Sequence, residues 1–269
     1  MIYLKSAHEL DIMREANQIV ARVLSSIREQ IAPGITTAYL DKLSEEMILS
    51  SNAAPAFKGY RGFPNALCIS INEEVVHGIP SNRKLVNGDI VSCDVGVKYK
   101  GFYGDAAYTF GVGTISSEVQ NLLKTTEESL YEGIQKAVEG NRLYDIGHAV
   151  QTHVEKAGYS VVKVFVGHGI GRNLHEDPQI PNYGKPGRGI RLRDGMVLAI
   201  EPMVNMGSEE IDILHDGWTA VTKDGSLSAH FEHSIVVRKD KPEILSCGKT
   251  TVNQRYKTIV SKEVIGENR

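Results

Sequence analysis

Cysteine is scarce in this chain of 269 residues, and Cys68, Cys93 and Cys247 are odd in number, far apart and without a CxxC spacing. That argues against a disulfide framework or a thiolate zinc site and fits a reducing, cytoplasmic setting. No apolar run reaches the roughly 18 residues of a membrane-spanning helix, and the N-terminus lacks the apolar segment of a signal peptide. No membrane partner is therefore expected. Charge of one sign is lacking too. A net charge of -3 predicts neither a DNA-binding protein nor an acidic tail protein. The local exception is the run from Lys185 to Arg193, KPGRGIRLR, with four basic residues and two glycines. It reads as a solvated basic loop able to touch RNA.

The chain has ample length for a core. Ser6-Ala7-His8-Glu9 reads as a capping box opening a long amphipathic helix. Met13, Ala16, Val20, Val23, Leu24 and Ile27 line its inner face, and Pro33-Gly34 stops it. A second helix is expected from about Thr37 to Leu49, with Leu40, Leu43 and Met47 inward. A strand follows at Ala66 to Ile71. Further on, Ser117 to Gln120 reads as another capping box, opening a helix through about Val138. A shorter helix runs to Lys156, with Gly158 as its stop. An apolar strand is expected at Val161 to Val166, then a glycine-rich loop and a β-rich block to about Val237.

The stretch Gly88 to Phe110 carries two aspartates among β-branched and aromatic residues. Lys98 to Gly101 reads as its turn. A loop centred between Tyr99 and Lys100 pairs Asp94 with Asp105, with Cβ atoms about 5 Å apart on one face. Carboxylates so placed repel, and one must protonate unless a cation sits between them. The plainer reading is two exposed aspartates near a turn.

The order long helix, short helix, strands occurs twice. His77-Gly78-Ile79 recurs as His168-Gly169-Ile170, and Gly88 precedes Asp94 by the same interval as Gly195 precedes Glu201. This predicts a duplicated half in one catalytic domain, residues 1–269, with halves of about 6–110 and 115–248 sharing one mixed sheet. Residues 249–269 read as a peripheral tail. Glu201 and Glu232 lie beside apolar strands, and His168 sits between glycines. Singly, each also reads as a solvated strand end or a loop cap. Together, carboxylates with one imidazole suit Mn²⁺, Fe²⁺, Co²⁺ or Zn²⁺. Two such ions roughly 3.5–4 Å apart can share carboxylates and a water, which is hydrolytic chemistry.

Asp94 in DVG, Asp105 in GDAAYTF, His168 in GHGIG, Glu201 in IEPM and Glu232 in FEHS resemble, in order and spacing, the five metal ligands of the type I methionine aminopeptidases of metallopeptidase family M24. The likeness runs from about Ser6 to Val237. It implies a pseudo-two-fold "pita-bread" α/β fold with helices on one face of its sheet. It also implies removal of the initiator methionine from nascent peptide N-termini when the second residue is small, using two divalent metal ions. By this resemblance Asp94 serves one ion and His168 the other, Asp105 and Glu232 bridge, and Glu201 completes the set and is the favoured general base. His77 contacts the scissile amide or its new amine. His175 donates to the substrate carbonyl oxygen.

The methionine pocket implied is Tyr60, Phe63, Cys68, His77 and Trp218. Leu174 and Phe57 depart from the common pattern and bear on pocket shape. Asn72 and Ser228 match positions that hold a monovalent cation in some relatives. The resemblance is to the short bacterial form, without the extra N-terminal domain of the Xaa-Pro peptidases of the same fold. A non-catalytic binding module of that fold is the third alternative, and such relatives have lost ligands that are all present here. The cotranslational role of the family makes the Lys185–Arg193 loop a candidate ribosome contact. A monomer is expected.

Overall fold

Ser6 caps the first helix as its sequence predicts. The Ser6 hydroxyl accepts from the Glu9 amide, and the Glu9 carboxylate accepts from the Ser6 amide at 2.9 Å, which satisfies two of the amides a helix start leaves free. The helix, α1 (Ala7–Gln30), buries Met13, Ala16, Val20, Val23 and Ile27. Next, α2 (Thr37–Ser50) buries Leu40, Ser44 and Ile48, with Leu43 and Met47 only half-buried. With Thr37 also buried, its inward stripe is 37/40/44/48, and the expected 40/43/47 face is rotated. The computed structural model describes residues 2–247, so the tail expected at 249–269 lies outside the described residues.

The first set of strands is β1 (Ala54–Pro55), β2 (Leu67–Ile71), β3 (Glu74–Val76), β4 (Ile90–Tyr99) and β5 (Phe102–Gly111). The hairpin β4–β5 closes on the pair Tyr99↔Phe102. Its two turn residues, Lys100 and Gly101, have φ of 47° and 83°, the left-handed pair that matches strand twist in a two-residue turn. This corrects the expected register. Asp94 faces Ala107, and Asp105 faces Gly96. The error is an even number of residues, so the alternation is unharmed and both aspartates stay on one face, as diagonal neighbours.

The second half repeats the plan with α3 (Ser117–Gln135) and α4 (Leu143–Lys156). The cap of α3 is Ser116, whose hydroxyl accepts from the Val119 amide. The predicted box at Ser117 is therefore one residue late. Gln120 donates instead to the Ile115 carbonyl. Strands β6 (Ser160–Val161), β7 (Gly167–Gly169), β8 (Glu176–Ile180), β9 (Val197–Ile200) and β10 (Met203–Asn205) follow. After them come β11 (Ile211–Ile213), β12 (Ala220–Thr222), β13 (Ser228–His230), β14 (His233–Val236) and β15 (Glu243–Ile244). The apolar run Val161 to Val166 is a strand only at its start, because β6 has just Val204 and Asn205 as ladder partners; Val164 is exposed.

Every ladder between these strands is antiparallel. In one sheet β4 pairs with β1, β2 and β5, and in another the order is β15-β14-β9-β7-β8. The α/β class stands, and the expected central mixed or antiparallel sheet is found as antiparallel strands in four hydrogen-bonded groups among the described residues.

Strand alternation decides which side chains meet the helices. Val91, Cys93, Val95 and Val97 of β4 pack in one core with Val20, Val23 and Ile27 of α1 and Leu40 of α2, each valine burial worth about 2 kcal/mol. Asp94 has the other parity and points away from that core. In the second half Leu198 and Ile200 of β9 and Ile235 of β14 pack with Leu130 of α3 and Val150 of α4. Gly88 and Gly195, the matched glycines of the repeat, both have left-handed φ, 97° and 85°. The two halves meet where β5 abuts β14. There the Ser234 hydroxyl donates to the Asp105 carbonyl at 2.8 Å, and the Glu232 amide donates to the Ala107 carbonyl at 2.9 Å.

Candidate metal centre and substrate pocket

Asp105 and Glu232 reach the seam from opposite halves of the chain. Asp105 stands on β5 opposite a glycine, and Glu232 occupies the link between β13 and β14. A ligand atom from each, with one from His168, falls within a mutual 4.8 Å. Asp94 Oδ1, Asp105 Oδ1 and Glu232 Oε1 are buried without a hydrogen-bond partner. Orphaned carboxylate oxygens are costly to bury. Burial raises the Asp94 carboxyl to about 7. Burial also pushes Asp105, Glu201 and Glu232 well above the ordinary range, and each is raised further by the charge of neighbouring acids. Acids that raise one another in a dry site fit bound cations, which would satisfy the orphaned oxygens and offset the repulsion.

His168 lies on β7, where a bulge interrupts the pairing with β8. Its Nδ1 is 2.9 Å from the Gly169 carbonyl. A carbonyl can only accept, so Nδ1 carries the proton and the Nε2 lone pair is left for a ligand. Nε2 lies 3.6 Å from Glu201 Oε1. Burial lowers the His168 pKa to about 4, which keeps the ring neutral near pH 7, as a metal ligand must be. The strand can come this close to β9 because residue 167 is glycine: a Cβ there would sit 2.3 Å from the Ala199 carbonyl oxygen.

His175 stands beside His168, ring centroids 4.3 Å apart, and stacks on Tyr60 at 5.2 Å. Its Nδ1 is 2.8 Å from the Tyr60 hydroxyl. The residue is exposed, and partial desolvation among the packed rings, then the neighbouring His168, lowers its pKa. His77 has φ of 61°, unusual for a residue other than glycine. Its ring meets Phe165 and Trp218 edge-on at 5.4 and 6.3 Å, and burial lowers its pKa.

Phe63 and Trp218 form a further edge contact at 5.2 Å. Phe63 and Cys68 share an apolar cluster with Tyr60 and Trp218, and both unusual residues, Phe57 and Leu174, belong to it. Cys68 is the ladder partner of Asp94, so the cluster adjoins the carboxylates. Asn72 and Ser228 also meet, through the Ser228 amide and the Asn72 carbonyl at 2.9 Å, but the Asn72 side chain is engaged with Asp89 and the Ile90 amide. Lys185, Arg188, Arg191 and Arg193 are all exposed.

One residue escaped the sequence reading. His230 is buried, and its Nε2 has no hydrogen-bond partner and lies 3.9 Å from Glu201 Oε2. Burial, with His77 nearby, lowers its pKa to about 3. The available signal was its place two residues before Glu232, which gives it the same parity in an extended chain.

Comparison with known proteins accords with this geometry. The sequence pattern described as metallopeptidase family M24 matches residues 11–239. The chain is 54% identical to a methionine aminopeptidase of Clostridium perfringens over 91% of its own length and 99% of that protein's. It is 53% identical to methionine aminopeptidase 1 of Bacillus subtilis over the same shares. The crystal structure of methionine aminopeptidase from Rickettsia prowazekii superposes with a TM-score of 0.91 at 42% identity, covering 92% of this chain and 100% of that one.

Proposed function

The chain belongs to metallopeptidase family M24 and, within it, is a methionine aminopeptidase of the short bacterial type; from that premise we propose which of its residues perform the reaction. It removes the initiator methionine from polypeptides whose second residue is small. The reading of the site rests above all on one observation: three acids with orphaned buried oxygens stand together beside a neutral imidazole.

Asp94, Asp105, His168, Glu201 and Glu232 are the residues that would hold two divalent cations. Oxygen and nitrogen donors of this kind accept Mn²⁺, Fe²⁺, Co²⁺ or Zn²⁺. Ions bound there supply Lewis-acid activation of water and of a peptide carbonyl. Glu201 takes a proton from the attacking water as its oxygen adds to the scissile carbonyl carbon. The C–N bond then breaks, and that proton passes to the departing nitrogen. His175 donates to the developing oxyanion, a contribution of several kcal/mol when such a donor is preorganised. Its proton must lie on Nε2, which requires Nδ1 to accept from Tyr60. His77 contacts the scissile nitrogen. Tyr60, Phe63, Cys68, His77 and Trp218 enclose the methionine thioether, a soft group that packs well on aromatic edges and a thiol.

The protein works as a cytoplasmic monomer on nascent chains, and its exposed basic loop Lys185–Arg193 contacts the ribosome. Asn72 and Ser228 are the residues that would hold a monovalent cation. The deciding experiment is hydrolysis of Met-Ala-Ser, Met-Leu-Ser and Ala-Pro-Ser by chelator-stripped protein refilled with each of the four metals. Metal-dependent release of methionine from the first peptide alone is expected. Cleavage of Ala-Pro-Ser would move the assignment to an Xaa-Pro peptidase, and silence with ions bound would leave a binding module.

A further inference from the structure

Lys5 and Glu176 form an ion pair at 2.6 Å with side chains only 4% and 7% exposed, and neither has a role in the chemistry assigned above. A buried pair of this kind is costly to assemble, and losing one partner strands a charge. Its surroundings show what it holds. Glu176 Oε1 accepts from the amides of Arg172 and Asn173 at 2.7 and 3.1 Å, while Oε2 accepts from Lys5 Nζ. The carboxylate therefore folds back into the loop that leads to His175, its immediate neighbour.

The stem of Lys5 passes so close to this loop that a Cβ on residue 171 would lie 2.3 Å from Lys5 Cε. Glycine at 171 and lysine at 5 are thus fitted to one another. Lys5 is itself held, its amide donating to the Gly195 carbonyl at 2.9 Å. A second tie runs parallel. Arg172 Nη2 meets Glu9 Oε1 at 3.0 Å, and the other oxygen of Glu9 closes the cap of α1. The segment that starts the first helix therefore grips both ends of the 172–176 loop.

The geometry points to Lys5 and Glu176 as positioning residues that set His175 at the substrate carbonyl. This rests on the reading of His175 as the oxyanion donor. Neither side chain touches substrate or metal ligand in this account. Both act through the loop backbone, and a donor displaced by an ångström or less loses much of its catalytic effect.

Three measurements on metal-loaded full-length protein test it, using Lys5→Met, His175→Ala and the double variant, with Glu176→Gln as a second probe should Lys5→Met not fold. Lys5→Met is expected to lower kcat for Met-Ala-Ser about tenfold with KM within about twofold. Metal content is expected to be unchanged, and hydrogen exchange at the Arg172 and Asn173 amides to quicken. In the His175→Ala background the same substitution should change kcat by less than about twofold, because the residue acts only through His175. Normal turnover in His175→Ala would overturn the donor reading beneath the proposal. Slow turnover there with an equal Lys5→Met loss in both backgrounds would overturn the clamp alone. Unchanged kcat in Lys5→Met, or metal lost with it, would also overturn the clamp.

Discussion

The Tyr60 hydroxyl and His175 Nδ1 lie 2.8 Å apart, with the two rings stacked. A Tyr60 hydroxyl that donates to Nδ1 leaves the His175 proton on Nε2, the tautomer that the proposed donor role requires. Tyr60→Phe keeps the ring and deletes the hydroxyl. Losing a hydrogen bond of about 1 kcal/mol is expected to lower kcat about fivefold, with KM for a methionyl peptide little changed. Steady-state kinetics decide this, and a rise in KM alone would make Tyr60 only a pocket wall.

Asp105 has an orphaned buried oxygen and clusters with His168 and Glu232 as a candidate cation site. Asp105→Ala is expected to lose bound metal together with activity, by at least about a hundredfold. Metal content after desalting, read by plasma emission beside the peptidase assay, checks both. Full metal occupancy with the activity gone would remove Asp105 from the ligand set.

The four acids also predict a pH dependence. Asp94 is raised from 3.8 to about 7 by burial, and Asp105, Glu201 and Glu232 are raised as well. A raised carboxyl holds its proton more tightly folded than unfolded, so its contribution to stability falls as pH rises through that window. Below about pH 6.5 the buried neutral histidines act in the opposite sense, because they bind protons more readily unfolded. Metal-free protein is therefore expected to lose melting temperature between about pH 6.5 and 8, and metal affinity to rise over the same range as these acids deprotonate. Scanning calorimetry with and without Mn²⁺ tests it. A metal-free melting temperature that climbs across that range would refute the shared burial of these acids.

Gly167 lets β7 approach β9, and a Cβ there would meet backbone rather than a movable side chain. Gly167→Ala is expected to cost about 1–3 kcal/mol of stability and to weaken metal binding by shifting His168. Urea denaturation and a metal titration read the two effects separately. Wild-type values in both would show that the strands can separate freely.

Replacing Lys185, Arg188, Arg191 and Arg193 with glutamine is expected to weaken ribosome binding without altering tripeptide cleavage. Cosedimentation over a salt series should show a shallower salt dependence in the variant. Identical salt curves for the two proteins would exclude the loop as the contact.

Much of this architecture was legible because its signals are local. The Ser6–Glu9 cap, the stop at Gly158 and the alternation that sends Val95 inward and Asp94 the other way each depend on a few neighbouring residues. The misplaced features were those in which adjacent residues compete. Ser116 and Ser117 are equally good caps by type, and buried Val119 accompanies the earlier one. The hairpin register turned on whether the turn was centred before or after Lys100, and left-handed backbone at Gly101 favours the later position.

By itself the sequence determined a doubled helix-and-strand plan, five spaced ligand-type residues and the chemistry they suit. Only the tertiary structure decided that Asp105 and Glu232 meet at the seam, that His230 lies beside Glu201, and that Lys5 reaches Glu176. The physical reason is range. Caps, turns and alternation are settled within a turn of helix or a few strand residues. A contact between residues 5 and 176 exists only once two sheets and the helix start have packed, and no local pattern encodes that packing.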